Sequence, residues 1–251
     1  MKIRKFINRF LMLSFLIALC VPVISFANEP DMIESKSQLT IQRIEKRARE
    51  IREEQEQREQ TMRMKLEGHN QRMAVLQRDM EIFLAEGDQG IGEDNMFYPI
   101  HKSNLTIEEM DSALKGTGLE GTGRAFVEVE EKYGINALFL AAIANHESFY
   151  GESNIAKEKN NLFGFNANDA DPYNLASQYS SYEDCIVKVG KKLKEFYLSE
   201  DGRYFKGFSA TGMNYYYSSD SNWPNKVNGH MIAIAKKILE DSDHLFADLS
   251  Q

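Results

Sequence analysis

A short segment that is apolar on every side limits the architectures open to this chain. Residues Leu138 to Ala144 read LFLAAIA, and Asn136 just before them is a suitable helix N-cap. A helix without a polar face must be surrounded by protein, and this one is too short to cross a membrane. The sequence therefore predicts several helices packed around one buried helix.

Capping signals place other helices of this mainly α-helical domain. Thr106 and Glu109 have the spacing of a capping box, and Gly134 is positioned to end a helix that begins near Gly123. Ser181 followed by Asp184 indicates the start of another amphipathic helix.

A small β-hairpin lobe is expected beside these helices. Phe163 and Phe165 alternate with small residues, and the segment NDADP over residues 168–172 is typical of a turn. Tyr173 and Tyr179 follow in a segment of extended character. This pattern predicts two short strands joined by the turn.

The region from about Ile33 to Leu84 has a different composition, with no proline, one glycine and many charged residues. Gln55 and Arg58 interrupt its apolar positions, and the step from Met62 to Leu66 breaks their phase. We expect a long charged helical stalk with an interrupted coiled-coil seam and a capacity for self-association. A solvated single helix or a partly disordered charged spacer are the alternatives. The apolar or small residues at heptad spacing are Ile41, Ile44, Ala48, Ile51, Met73, Leu76, Met80 and Phe83.

The first 27 residues have the pattern of a signal peptide. Basic residues precede an apolar run from Phe10 to Ala27, and Ser25 and Ala27 have the spacing of a cleavage site. We expect cleavage after Ala27 and secretion to the cell wall, with an uncleaved N-terminal membrane anchor as the alternative. The predicted divisions are a signal peptide over 1–27, a stalk over 28–85, a glycine-rich acidic linker over 86–100 and a catalytic domain over 101–246.

The charge of the chain argues against nucleic acid as a partner. Its formal net charge is −8, and it becomes more negative once the basic leader is removed. Such a chain repels a phosphate backbone, so any polymer must be bound by a shaped groove. Cys185 is the one cysteine left after cleavage, so no disulfide can form within the mature chain.

Glu147, at the end of the buried helix, is the main catalytic candidate. The helix carbonyls and the apolar surroundings would both raise its pKa, as a proton-donating carboxylic acid requires. An ordinary exposed glutamate at a helix end is an equally good interpretation of the spacing alone. A zinc-protease helix would need histidine at Tyr150, so we expect no metal and no cofactor.

Cleavage of a glycosidic bond commonly needs a second group opposite the acid. Glu183 would lie in the first turn of its helix, where the helix dipole keeps a carboxylate ionised. Asp169, Asp171 and Asp220 are further candidates. Acids are also placed in first turns for stability alone, and that explanation stays open for Glu183.

Aromatic residues are dense after Glu147, and a groove for glycans uses aromatic faces together with amide groups. Most aromatic side chains in any domain belong to its core. Those expected near a substrate, with the accompanying amides, are Asn160, Asn161, Phe163, Tyr179, Tyr217 and Trp223.

The segment YGINALFLAAIANHESFYGESNIAKEKNNLFGFNA, with YSSYEDCI and the later MNYYYSSDSNW, resembles bacterial endo-β-N-acetylglucosaminidases of glycoside hydrolase family 73. The resemblance covers about Asn104 to Leu239. It implies a lysozyme-like α-rich fold that cleaves the bond from GlcNAc to MurNAc in peptidoglycan. By the same resemblance, the catalytic glutamate is Glu147 and the motif Y-x-x-D falls on Tyr217 and Asp220. The second catalytic group is unsettled in that family.

We therefore expect a secreted peptidoglycan hydrolase with Glu147 as general acid and glycan strands as its partner. A water molecule activated by Glu183 or another group would complete the reaction, and help from the substrate's N-acetyl group or from Tyr217 is an alternative. Two other functions stay open, a lytic transglycosylase and a scaffold protein that binds wall glycan without turnover.

Overall fold

The computed structural model describes residues 30–165 and 176–249. The chain divides into two compact units, one ending at Arg58 and the other beginning at Glu59. The predicted signal peptide lies outside the described residues. Within the described ranges, no helix is long and apolar enough to span a bilayer.

The described residues form helices and no strands, which confirms the predicted α-rich class. The turn of the expected β-hairpin, residues 168–172, falls within residues 166–175, which lie outside the described residues. The segments on either side are joined by a hydrogen bond from Ser177 N to Phe165 O (3.0 Å) but are not strands. The helices are α1 (Pro30–Glu86), α2 (Ile107–Leu114), α3 (Gly123–Tyr133), α4 (Ala137–Ser148), α5 (Asn154–Lys159), α6 (Tyr182–Tyr197), α7 (Ala210–Tyr217) and α8 (Trp223–Leu249).

The first unit is represented by the part of α1 that ends at Arg58. Its isoleucines at heptad spacing, Ile41, Ile44 and Ile51, are exposed. Glu50 forms ion pairs with Lys46 and Arg47 along the helix surface. Exposed pairs at this spacing support a helix by only about 0.3–0.5 kcal/mol each. The coiled-coil seam stays a prediction.

Helix α4 is the buried helix that the sequence predicts. Residues 137–145 are all buried, and the helix packs mainly against α8 and also contacts α3. Its start is capped as expected, because Asn136 Oδ1 accepts a hydrogen bond from Phe139 N (3.0 Å). The Asn136 Nδ2 group donates to the carbonyls of Met96 and His101. The cap therefore also fixes the preceding segment of chain.

Glu130, at the end of α3, is a buried carboxylate that serves as a second anchor for α4. Its oxygens accept hydrogen bonds from Ser103 N (2.8 Å), Ser103 Oγ (3.1 Å) and Asn104 N (3.3 Å). Glu130 Oε2 also accepts from Ala137 N (2.8 Å), which places a carboxylate at the N-terminus of α4. An anion is favoured there because the first backbone N–H groups have no partner within the helix.

The segment expected to be a linker, residues 86–100, is instead partly buried. Ile91, Met96 and Phe97 belong to the hydrophobic core, and the Phe97 ring stacks on Phe83 at 4.8 Å between centroids. The buried Asp79 carboxylate accepts a hydrogen bond from Met96 N (2.8 Å). Glycine and acidic residues give the segment the composition of a linker, but its apolar residues pack back onto the domain.

The second half of α1 also belongs to this core rather than to a stalk. The residues predicted as a coiled-coil seam there, Met73, Leu76, Met80 and Phe83, are buried in the second unit. An earlier part of α1 is tied to α2 by polar contacts. Glu109 on α2 accepts a hydrogen bond from Arg72 Nη2 (2.8 Å) and lies 2.7 Å from His69 Nδ1. The expected division at residue 85 therefore differs from the packing, in which the compact unit begins at Glu59.

Candidate active site

The chain turns sharply just after Glu147. Helix α4 ends at Ser148, whose Oγ donates to Ala144 O (2.6 Å) and accepts from Gly151 N (2.7 Å). Phe149 and Tyr150 both have positive φ angles, 53° and 59°, as does Gly151. Consecutive left-handed residues other than glycine are strained and persist only where surrounding contacts hold them. The hydrogen bond from Gly151 N to the Ser148 hydroxyl supplies one of those contacts.

At Gly151 the backbone of this turn packs closely against the backbone of Gly118. A Cβ atom on Gly151 would lie 2.7 Å from the carbonyl carbon of Gly118, and a Cβ on Gly118 would lie 2.8 Å from that of Gly151. Neither position has room for a side chain. Glu147 is therefore followed by a rigid turn, which fixes the end of α4 against the loop that precedes α3.

Glu147 is a partly buried acid with one strong hydrogen-bond donor. Trp223 Nε1 donates to Glu147 Oε1 at 2.7 Å, and the indole itself is buried. Burial raises the pKa of Glu147, and the hydrogen bond from Trp223 lowers it by a smaller amount, so the pKa stays above its ordinary value. The carboxyl group is thus held in one orientation and retains its proton to a higher pH than an exposed glutamate.

Tyr217, the last residue of α7, packs beside this pair. Its ring centroid lies 4.8 Å from that of Trp223 and 5.6 Å from that of Tyr197. Burial, followed by the nearby Glu147 carboxylate, raises the pKa of Tyr217 well above its usual range. The phenol is therefore neutral at physiological pH and able to donate a hydrogen bond.

Asp220 and Lys226 form an ion pair at the start of α8. Lys226 Nζ lies 2.6 Å from Asp220 Oδ2, and Asp220 Oδ1 accepts from Asn222 N (2.9 Å). These hydrogen bonds, that of Lys226 first, lower the pKa of Asp220 and keep it ionised. Burial and then the Lys226 charge lower the pKa of His146, which keeps that imidazole neutral near pH 7. The Asp220–Lys226 pair is therefore close enough to His146, the chain neighbour of Glu147, to affect its pKa.

Comparison with known proteins assigns a family to most of the second unit. Residues 123–236 match the family model Glucosaminidase, described as mannosyl-glycoprotein endo-beta-N-acetylglucosaminidase. This span includes Glu147, Tyr217 and Trp223. Residues 123–236 are a glucosaminidase domain.

Individual relatives agree with this family. A Streptococcus pneumoniae protein named "Putative endo-beta-N-acetylglucosaminidase" is 40% identical over 141 residues, covering 54% of this chain. The chain spans 21% of that relative's length. A Staphylococcus aureus "Bifunctional autolysin" is 32% identical over 93 residues, which cover 31% of this chain and 8% of the relative.

Two solved structures of Staphylococcus aureus autolysin E are also similar. One is 26% identical, with a TM-score of 0.46, and covers 58% of this chain and 74% of that chain. The other is a catalytic mutant in complex with the disaccharide NAG-NAM. It is 24% identical, with a TM-score of 0.45, and covers 64% of this chain and 75% of that chain.

The predicted second acids of the glucosaminidase domain differ in their surroundings. Glu183 is exposed in the first turn of α6, where Ser181 Oγ accepts the capping hydrogen bond from Asp184 N. None of the contacts of Glu147 described above involves Glu183. Asp220 lies near His146, and Asp169 and Asp171 fall outside the described residues. A role for Glu183 stays a prediction.

The amides predicted to bind substrate are engaged with the protein's own backbone. Asn161 Nδ2 donates to the carbonyls of Phe165 and Ser177, and its Oδ1 accepts from the backbone N–H groups of Phe163 and Phe165. Asn160 Nδ2 donates to Tyr179 O (3.0 Å). The Asn-Asn pair therefore fastens together the described segments that lie before residue 166 and after residue 175.

The predicted aromatic contacts are mostly buried in the glucosaminidase domain. Phe163, Tyr179 and Trp223 belong to the hydrophobic core, and burial raises the pKa of Tyr179 to about 12. The exposed rings next to the site are ones that sequence reasoning did not select. They are Phe149 and Tyr150, which follow Glu147, and Tyr215 and Tyr216, which precede Tyr217. Their positions in the sequence, next to Glu147 and to the Y-x-x-D motif, are the signal that could have identified them.

Proposed function

We propose that this protein is a secreted peptidoglycan hydrolase that cleaves the β-1,4 bond from GlcNAc to MurNAc. The observation that carries the proposal is the Glu147 carboxyl group, buried enough to raise its pKa and oriented by Trp223 inside a glucosaminidase domain. The names of the pneumococcal and staphylococcal relatives support a wall-directed activity.

In the proposed reaction, Glu147 protonates the glycosidic oxygen as the bond to the anomeric carbon breaks. Its raised pKa keeps the proton on the carboxyl group to a higher pH than in an ordinary glutamate. Once the proton has left, the N–H of Trp223 stabilises the new carboxylate, because a hydrogen bond to a charged acceptor is stronger than one to a neutral acceptor. The same bond therefore orients the acid before the step and stabilises its conjugate base afterwards.

The second half of the reaction needs a group that favours attack by water on the oxocarbenium-like carbon. For this role Asp220 is preferred over Glu183, because Lys226 keeps Asp220 ionised and the Asp220 charge acts on His146, the chain neighbour of Glu147. Two carboxyl groups with pKa values shifted in opposite directions are the usual arrangement for such a pair. The neutral Tyr217 phenol next to Glu147 would hydrogen-bond the substrate.

Mass spectrometry of peptidoglycan digested with the full chain tests this function. Hydrolysis at the proposed bond produces new reducing GlcNAc ends. Terminal 1,6-anhydro-muramyl groups would instead show a lytic transglycosylase, and an absence of new ends together with retained binding would show a protein that binds wall glycan without turnover. Either of these two results would reject the proposed activity.

Replacing Trp223 with phenylalanine is expected to move the alkaline limb of the pH–rate profile to higher pH. The hydrogen bond from Trp223 lowers the pKa of Glu147, so losing it raises that pKa. A general acid is active while protonated, and activity then persists to higher pH. The measurement is kcat/KM from pH 5 to 9. Tyr133→Phe, which lies before the other end of α4, is the control. A limb that does not move would exclude an effect of the Trp223 hydrogen bond on the pKa of the catalytic acid.

We also propose that the exposed isoleucine row of α1 pairs with a second copy of the chain. Ile41, Ile44 and Ile51 are exposed at heptad spacing in the first unit. Sedimentation equilibrium should show self-association that weakens in an Ile44→Glu, Ile51→Glu double variant. Gln42→Glu, which lies outside the row, should sediment as the native chain does. A native chain that stays monomeric at high micromolar concentration would contradict the pairing.

A further inference from the structure

A series of touching aromatic rings leads away from Glu147 to the protein surface. Neighbouring ring centroids lie 4.8 to 5.7 Å apart along the whole series. The inner rings are buried or partly buried, and the last two are exposed, at 69% for Tyr215 and 50% for Tyr216. From the acid outward, the rings are Trp223, Tyr217, Tyr197, Tyr204, Tyr216 and Tyr215.

Two cations lie over the outer rings of the series. Lys206 Nζ is 5.2 Å from the centroid of Tyr215 and 5.7 Å from that of Tyr216. The guanidinium carbon of Arg203 is 5.3 Å from the centroid of Tyr204. Both side chains are exposed, and neither takes part in the ion pairs found in the described part of the chain. These five residues are called the outer platform.

The chemistry of the outer platform limits what it can bind. Exposed tyrosine faces suit the apolar faces of sugar rings, while a lysine and an arginine that form no ion pair within the described residues suit an anion. The net charge of the chain is −8, which disfavours an anionic polymer, so local cations such as these two are needed to attract one. A ligand that combines sugar rings with carboxylates matches both features.

We propose that the outer platform binds glycan units beyond the cleaved bond, and that Lys206 and Arg203 contact the carboxylates of the peptides attached to the muramyl residues. This inference rests on the proposed function, because Tyr217 and Trp223 link the outer platform to the acid that would cleave the same strand. The inference specifies the substrate as a glycan strand that carries peptides. Such a strand should bind more tightly than one from which the peptides have been removed.

The experiment compares strands that carry peptides with strands whose peptides an amidase has removed. Binding is measured with an otherwise full-length Glu147→Gln chain, so that no turnover disturbs it, and KM is measured with the active chain. Lys206→Ala should weaken binding to peptide-bearing strands about three- to fivefold at low salt, and leave binding to stripped strands unchanged. Added salt should remove this difference.

Tyr215→Ala separates the sugar contact from the charge contact. It should weaken binding to both kinds of strand, by about five- to tenfold, and raise KM while leaving kcat unchanged. Because Tyr215 and Lys206 are exposed, neither change disturbs the core.

Lys132→Ala is the matched control, since Lys132 also lies over a tyrosine ring, that of Tyr133, at 5.3 Å. It precedes α4, a helix of 12 residues and so about 18 Å long, with Glu147 near the other end. Equal effects of Lys206→Ala on both strands, or an effect no larger than that of Lys132→Ala, would overturn the proposal. If the active chain produces no new ends, the hydrolase function fails separately, and the binding comparison still tests the outer platform.

Discussion

Glu147→Gln is expected to lower kcat for glycan cleavage by about 10²- to 10⁴-fold, the usual contribution of a positioned general acid. Glutamine has nearly the same volume, and its carbonyl oxygen can still accept the hydrogen bond from Trp223 Nε1. It has no proton of suitable acidity to give to the leaving oxygen. The loss should therefore appear in the chemical step while affinity for the strand is retained.

The same substitution should make the protein more stable at neutral and alkaline pH. Burial raises the pKa of Glu147 in the folded state, so the folded chain binds a proton that the unfolded chain has already released. Stability then decreases as pH rises from the ordinary pKa of glutamate through the raised value. Glutamine lacks this penalty, and the two proteins should have similar stability only at pH values below both pKa values.

Release of reducing ends and thermal unfolding, each measured at several pH values, test both parts of the prediction. Glu183→Gln serves as a matched control, because that carboxylate is exposed and its replacement should lower the melting temperature only slightly, by the small stabilisation that an acid in the first turn of a helix provides. Full activity in Glu147→Gln would exclude Glu147 as the acid. Inactivity with a lower melting temperature at pH 8 would instead indicate a structural role.

Glu130→Ala is expected to lower the free energy of unfolding by about 3–5 kcal/mol, the loss usual when a buried charged group is removed and its partners stay buried. Four hydrogen bonds end on this carboxylate, including those from Ser103 N and Ala137 N. Alanine leaves these donors without an acceptor in the protein interior. It also removes the anion from the N-terminus of α4, the helix that carries Glu147.

Urea unfolding measures this loss, with Glu131→Ala as the neighbouring control. Glu131 pairs with Lys102 on the surface, where such a pair contributes at most about 1 kcal/mol. Glu130→Gln should lie between the two, since an amide oxygen can replace only part of the acceptor capacity. A loss for Glu130→Ala no greater than that for Glu131→Ala would show that the buried hydrogen bonds contribute little net stability.

The features predicted correctly from the sequence depend on local chemistry. The capping box of Thr106 and Glu109 is confirmed, as are the N-caps Asn136 and Ser181 and the left-handed end of α3 at Gly134. Each of these involves residues a few positions apart, so their pattern in the chain determines the geometry. The burial of α4 follows from its lack of any polar face.

Features that depend on distant parts of the chain were not predictable in the same way. Heptad spacing shows that one face of a helix is apolar, but it does not show whether a second chain or the helix's own domain covers that face. The row from Met73 to Phe83 is covered by the domain. Similarly, the sequence places Glu147 at a helix end, while the Trp223 donor comes from 76 positions away along the chain.

The asparagines of the NNLFG segment show another limit of the sequence. An amide beside aromatic residues is equally suited to bind a sugar or to hold a loop, and the two uses have the same composition. In the structure, the hydrogen-bonding groups of the Asn161 side chain are directed to backbone partners. Only the positions of those partners, which the sequence does not contain, distinguish the two roles.

The stacking of Phe83 on Phe97 has a consequence for how this domain could be moved between proteins. Residues 123–236, the span recognised by family likeness, lack the end of α1 and the segment that Asn136 and Asp79 hold in place. A graft that begins at residue 101, the predicted start of the catalytic domain, would also lack them. Its apolar side would be exposed and several of its hydrogen bonds would be lost. A graft that begins at Glu59 would include the residues that pack over this apolar side. The segment that must be transferred is therefore longer than the segment that the family model matches.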